Sequence, residues 1–110
     1  MNKSTSSFTS PYYPNDYIDD LNCTWVINVD IGLRIIFSFD DFITESNNDF
    51  IEVFDGNTVS DQSIGKFSGF SKPANLISSS NSLTVYFRTD EDTAYKGFSA
   101  KYGMKLNDYT

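Results

Sequence analysis

The sequence predicts an all-β sandwich or jelly roll, and three observations carry that prediction. Aromatic residues make up 16% of the 110-residue chain, with ten Phe, seven Tyr and one Trp, and together with the β-branched residues they favour pleated, half-buried surfaces. Several short stretches alternate apolar and polar residues, with turn residues between them roughly every 8–12 positions. No window sustains the i, i+3, i+4, i+7 spacing of an amphipathic helix, and no apolar run approaches the roughly 18 residues of a membrane span.

The elements follow in order. Residues 1–10 are rich in Ser and Thr and are expected to fray, with Met1-Asn2-Lys3-Ser4 lacking the apolar core of a secretory leader. A secreted origin would therefore make this a mature or excised domain. In Ser10-Pro11-Tyr12-Tyr13-Pro14-Asn15-Asp16-Tyr17, two prolines bar a central strand and favour an extended surface segment. Cys23, Trp25, Ile27 and Val29 share one face of the next strand, which makes Trp25 a core residue rather than a sugar-stacking one. After the turn Asp30-Ile31-Gly32, a strand turns Leu33, Ile35, Phe37 and Phe39 inward. Ile51 and Val53 oppose Glu52 and Phe54 on the next, which Asp55-Gly56 closes. A loop over 57–61 precedes a short strand at Ile64–Phe67, and Pro73–Ile77 leads to another. Leu83, Val85 and Phe87 then point inward, with Thr84, Tyr86 and Arg88 outward. The strand from Gly97 to Tyr102 closes a single domain over residues 1–110, with a core of about 8–102 between a flexible N-terminal segment and a C-terminal tail.

Charge and residue inventory narrow the function. Fifteen acids against eight bases give a net charge of −7, which disfavours nucleic acid, heparin or an anionic membrane as partner. It suits a metal cation or a basic protein ligand. The absence of His removes the commonest general base and transition-metal ligand. A single Cys forms neither an internal disulfide nor a thiolate cage. With no activated nucleophile or acid–base pair in view, the chain reads as a non-enzyme. The stretch from Phe42 to Gly56 carries the most chemistry, because its polar loop holds Glu45 and Asp49 at the mouth of a strand. A third acid, Asp90, ends the strand of Leu83, Val85 and Phe87. Carboxylates gathered at one sheet edge repel one another unless a cation joins them.

Six ordered pieces resemble a CUB domain. They are Ser10-Pro11-x-Tyr13-Pro14-x-x-Tyr17, Asn22-Cys23-Thr24-Trp25, Phe42-x-x-Glu45, Asp49-Phe50-Ile51-Glu52-Val53-x-Asp55-Gly56, Ser82-Leu83-Thr84-Val85-x-Phe87 with Thr89-Asp90, and Gly97-Phe98-x-Ala100-x-Tyr102. The resemblance runs from about Phe8 to Tyr102. It implies a two-sheet antiparallel jelly-roll sandwich in a secreted or cell-surface protein, one module of a larger chain, that binds proteins and sometimes glycans. It also implies a calcium site on Glu45, Asp49 and Asp90, with Tyr17 beside it. Asp92 stands where the family usually keeps a small polar residue, and either ligates or adds field. Calcium takes six to eight oxygen ligands, which loops supply readily. The function expected is calcium-dependent binding of a partner's Lys or Arg through Glu45 and Asp90, with Tyr17 in contact. The alternative is a glycan-binding or purely structural sandwich in which calcium is absent or only stiffens loops.

Other features are weighed beside these. Asn22-Cys23-Thr24 and Asn2-Lys3-Ser4 match the N-glycosylation pattern, and the resemblance singles out Asn22. Asp19-Asp20 and Asp40-Asp41 are expected to be solvated faces. Tyr12 and Tyr13 suit packing over the sheet or ligand contact equally. The family usually has two disulfides, whereas this chain has only Cys23. The resemblance puts the usual partner of Cys23 upstream of this chain, and the second pair near Ser46 or Asn47 and at Ser68.

Overall fold

Period-two alternation builds eight strands and no helix among the residues that the computed structural model describes, 5–18, 21–44, 49–90 and 95–106. The strands are β1 (Thr5–Thr9), β2 (Asn22–Asn28), β3 (Leu33–Ile43), β4 (Phe50–Asp55), β5 (Gln62–Phe67), β6 (Leu76–Ile77), β7 (Ser82–Arg88) and β8 (Gly97–Leu106). They form two four-stranded antiparallel sheets, ordered β1-β8-β3-β6 and β2-β7-β4-β5. The expected two-sheet antiparallel sandwich is the architecture found.

The inward rows meet as one aromatic-rich core. Ile35, Phe37 and Phe39 of β3 face Ile51 and Val53 of β4, Leu83, Val85 and Phe87 of β7, and Phe98 of β8, all buried. Phe98 is the hub: the rings of Phe8, Trp25, Phe39 and Phe87 all lie edge-on to it, at 5.3–5.9 Å. Such edge-to-face pairs contribute about 0.5–1.5 kcal/mol each beyond their buried area. On β2 the expected inward residues are in place, but as an edge strand it leaves Cys23 and Trp25 only half-buried. Burial raises the Cys23 thiol pKa.

Four expectations need correction. Residues 5–9 are a paired strand rather than a frayed segment, because Phe8 anchors them on Trp25 and Phe37. The tail expected after Tyr102 does not begin there: β8 continues to Leu106, pairing Gly103–Leu106 with Ile36–Leu33. The Pro-containing segment is a pair of turns rather than an extended stretch. The Tyr13 N–H bonds to the Ser10 carbonyl (3.2 Å), and the Asn15 N–H bonds to that of Tyr12 (2.7 Å), with Tyr12 at a φ of 69°. Finally, Thr84 faces outward but is buried, because the chain after β4 folds over it and the Gly56 carbonyl accepts its hydroxyl (3.0 Å).

A bulge in β3 prepares the site. Phe39 pairs with Ala100 and Asp41 with Ser99, so Asp40 is one residue too many. The inward phase passes from Phe39 to Phe42, both buried. If Asp40 took a regular ladder position instead, alternation would turn Asp41 into the core.

Candidate metal centre

Phe42, brought inward by the bulge, is followed by Ile43 and Thr44 at the end of β3, where the chain leaves the sheet. Buried Thr44 ties three segments together. Its N–H donates to the Gly69 carbonyl (3.0 Å), and its hydroxyl accepts from the Gly69 N–H (3.0 Å) and donates to the Asp49 carbonyl (3.3 Å). Asp49, one residue before β4, is thereby held at the end of the sandwich.

The Asp49 side chain is 0% exposed. Its Oδ1 accepts the Asp90 N–H (2.8 Å), and its Oδ2 accepts the Tyr17 hydroxyl. Thr89 holds Asp90 in position, since its hydroxyl accepts from Leu21 N–H (2.7 Å) and donates to the Ile18 carbonyl (3.1 Å). Among the described residues no Lys or Arg pairs with Asp49. Burial pushes its carboxyl above the usual range; the Tyr17 and Asp90 donors pull it partly back, and the Asp90 charge pushes it up. A buried carboxylate with one donor on each oxygen and no base has lone pairs to spare. This donor set suits a hard cation such as calcium. The described residues contribute two carboxylates, Asp49 and Asp90; among them no group of three or more His, Cys, Asp or Glu gathers. Glu45 and Asp92 lie outside the described residues.

Tyr17 requires a correction. Expected on the surface and in contact with a partner, it is 2% exposed. Its ring stands edge-on to Phe87 at 5.1 Å, and its N–H bonds to the Tyr95 carbonyl (2.9 Å). The aromatic body fills the core and the hydroxyl donates to buried Asp49, so Tyr17 supports Asp49 from inside. Close packing continues at Gly97, with φ of 90°, where a Cβ would fall 2.0 Å from Ser10 Oγ and 3.2 Å from the Tyr17 ring.

Asp41 differs from expectation too. It is half-buried, accepts the Tyr13 hydroxyl (2.7 Å) and the Phe42 N–H (3.1 Å), and pairs with Lys96 Nζ (2.7 Å). Those donors, Lys96 foremost, hold its carboxyl below the usual range. Asp40 stays solvated, in an exposed pair with Lys101 (3.3 Å), while Asp19 and Asp20 fall outside the described residues. Asn22 is exposed at the start of β2, its side chain bonded to the Tyr86 hydroxyl. Sequence reasoning missed Phe70, 66% exposed and stacked edge-on against Tyr95 (5.4 Å). It adjoins Gly69, the partner of Thr44, and nothing local in Ser68-Gly69-Phe70-Ser71 announces that neighbourhood.

The order and placement of these pieces agree with known proteins. The CUB domain family model matches residues 1–102. This chain belongs to the CUB domain family. All of it aligns with human cubilin at 42% identity, spanning 3% of that protein, and 98% of it with human tolloid-like protein 2 at 35%, spanning 11%. Among solved structures, 94% of the domain superposes on part of the full extracellular region of zebrafish Gpr126/Adgrg6, with a TM-score of 0.83, 32% identity and 14% of that chain covered. The same share superposes on the MASP-1 CUB2 domain bound to Ca2+, with a TM-score of 0.80, 26% identity and 95% of that chain covered. CUB domains are interaction modules of extracellular proteins, and this one is extracellular in kind.

Proposed function

We propose that this CUB domain is a calcium-dependent protein-binding module, one unit of a longer chain. Calcium is held by Asp49, Asp90 and Glu45, with Asp92 ligating or adding field, and the ion orients Glu45 and Asp90 to accept a Lys or Arg from the partner. The observation that carries this reading is Asp49, a wholly buried carboxylate without a base. The solved relative bound to Ca2+ supports the choice of ion. Charge-assisted hydrogen bonds to a partner's base would add direction as well as energy. The bound ion supplies a positive charge that lets three or four acids share one small volume. Tyr17 and the Asp90 N–H orient Asp49, while Thr44 keeps its backbone in place. No catalytic step enters this reading.

Calorimetric titration of calcium into chelator-treated protein tests the site, and capture of partners with and without chelator tests its use. Asp49→Asn should abolish both. Calcium binding without any chelator-sensitive capture would instead favour the structural alternative, in which the ion only stiffens loops.

A further inference from the structure

The solvent face of the β2-β7-β4-β5 sheet places two cations beside one aromatic ring. Strand register puts Asn22, Arg88 and Phe50 in one outer row and Thr24, Tyr86, Glu52 and Lys66 in the next. Lys66 Nζ lies over the Phe50 ring at 4.1 Å, and the Arg88 guanidinium approaches the same ring at 5.9 Å. Both cations are exposed and the ring is half-buried.

Of the described cations in this chain of net charge −7 only two form ion pairs, and Lys72 and Lys105 form none either, so what sets Lys66 and Arg88 apart is the ring beside which they both stand. Lys96 and Lys101 pair with Asp41 and Asp40, and Arg34 donates to the Ser78 carbonyl (2.8 Å). Lys66 stands directly across from Glu52 in the ladder, yet its ammonium forms no ion pair with it and rests on Phe50 instead. Among the described residues Arg88 has no ion pair either. Two exposed cations beside one aromatic ring retain donor capacity directed at solvent.

We infer that this face docks an extended acidic segment of a protein partner. Asp or Glu side chains at i and i+2 of such a segment fall on one face, about 7 Å apart. They would meet Lys66 and Arg88, with the residue stems covering Phe50. The overall negative charge repels a dense polyanion such as heparin, whereas two local carboxylates meet only the two cations. This surface needs no calcium, so it stands apart from the function proposed above.

The test is an amide-shift NMR titration of the chelator-treated domain with acetyl-Gly-Glu-Phe-Glu-Gly-amide, its Gln-substituted counterpart, and a heparin hexasaccharide. Expected are saturable shifts at Phe50, Glu52, Lys66, Tyr86 and Arg88, unchanged by added calcium. The Gln peptide should bind about 10-fold more weakly or worse, as should the acidic peptide to the double variant Lys66→Gln, Arg88→Gln. Lys66→Arg should restore binding in the single-site series, and an unchanged melt would show the variants folded. Absent shifts, equal binding of the Glu and Gln peptides, shifts centred on Asp49 and Asp90, or tighter binding of the heparin fragment would each overturn the assignment.

Discussion

Asp49 is where charge, fold and ligand meet. Its folded-state carboxyl titrates above the ordinary range because burial outweighs the Tyr17 and Asp90 donors. A group raised in this way contributes stability that is complete below its unfolded pKa, about 3.9, and is lost as pH rises through the folded value. With respect to this group, the metal-free domain should be more stable near pH 4.5 than at pH 7. Calcium, in the function proposed, would bind the ionised form, so its stabilising increment should grow across the same rise. Asp41 responds in the opposite sense, because its depressed pKa sustains stability that is lost only below the ordinary carboxylate range. Melts in chelator and in calcium from about pH 4.5 to 7.5 would show the metal-free and calcium trends of Asp49, and Asp49→Asn should flatten them while raising metal-free stability at pH 7. An unaltered profile in that variant would remove Asp49 from the account. Tyr17 offers a second check. Tyr17→Ala empties a core position and should cost about 3–5 kcal/mol. Tyr17→Phe keeps the ring on Phe87 and loses one donor, costing about 1–3 kcal/mol, read by denaturant unfolding.

Among the elements, alternation was legible and its interruptions were not. Ile35, Phe37 and Phe39 could be read as inward residues from their spacing, as could Leu83, Val85 and Phe87, and all are buried. The β3 bulge could not be read, because Asp40-Asp41 looks the same whether an extra residue bends the strand or both acids face water. Its consequence, a half-buried Asp41 that braces Tyr13 and Lys96, depends on contacts 28 and 55 residues away in the chain. The end of β8 was misjudged for a similar reason. Gly103-Met104-Lys105-Leu106 has little strand character alone, but all four pair with Leu33–Ile36 and Gly103 pairs with Thr5 as well. Truncation after Tyr102 should therefore lower the denaturation midpoint markedly, since it strips four ladder positions from β3 and exposes the edge. A midpoint shifted by less than that of a typical surface substitution would show Gly103–Leu106 to be dispensable.

At the scale of the whole molecule, the two sheets place an acidic end beside a face with two unpaired cations. Asp49 faces inward and Phe50 outward in consecutive positions, so the strand's alternation alone separates the two chemistries. That Asp49 and Asp90 would come together was legible because they flank strands that could be recognised, and the Asp90 N–H does donate to Asp49. The inward course of Tyr17 was not, since it depends on long-range hydrogen bonds from Tyr17 to the Tyr95 carbonyl and to Asp49. Calcium should raise the melting temperature and magnesium much less, because magnesium demands stricter octahedral geometry. With a dissociation constant of about 0.1 mM and calcium at about 1.5 mM, linkage contributes on the order of 1.6 kcal/mol. That amounts to several degrees for a domain of this size. A melt that ignores both ions and chelator would exclude the calcium reading.

The pairing of β1 with β8 also has a mechanical consequence. Thr5 lies opposite Gly103, near the end of β8 at Leu106, so the chain enters and leaves these neighbouring strands on the same side. Tension applied through both ends pulls Thr5 and Leu106 apart across the ladder rather than along it. Hydrogen bonds between β1 and β8 would then open one after another, like a zip, instead of resisting together in shear. Within a tandem array under load, β1 would be the first strand to leave, and its departure would uncover Phe98 at the centre of the core while the Asp49 end stayed folded.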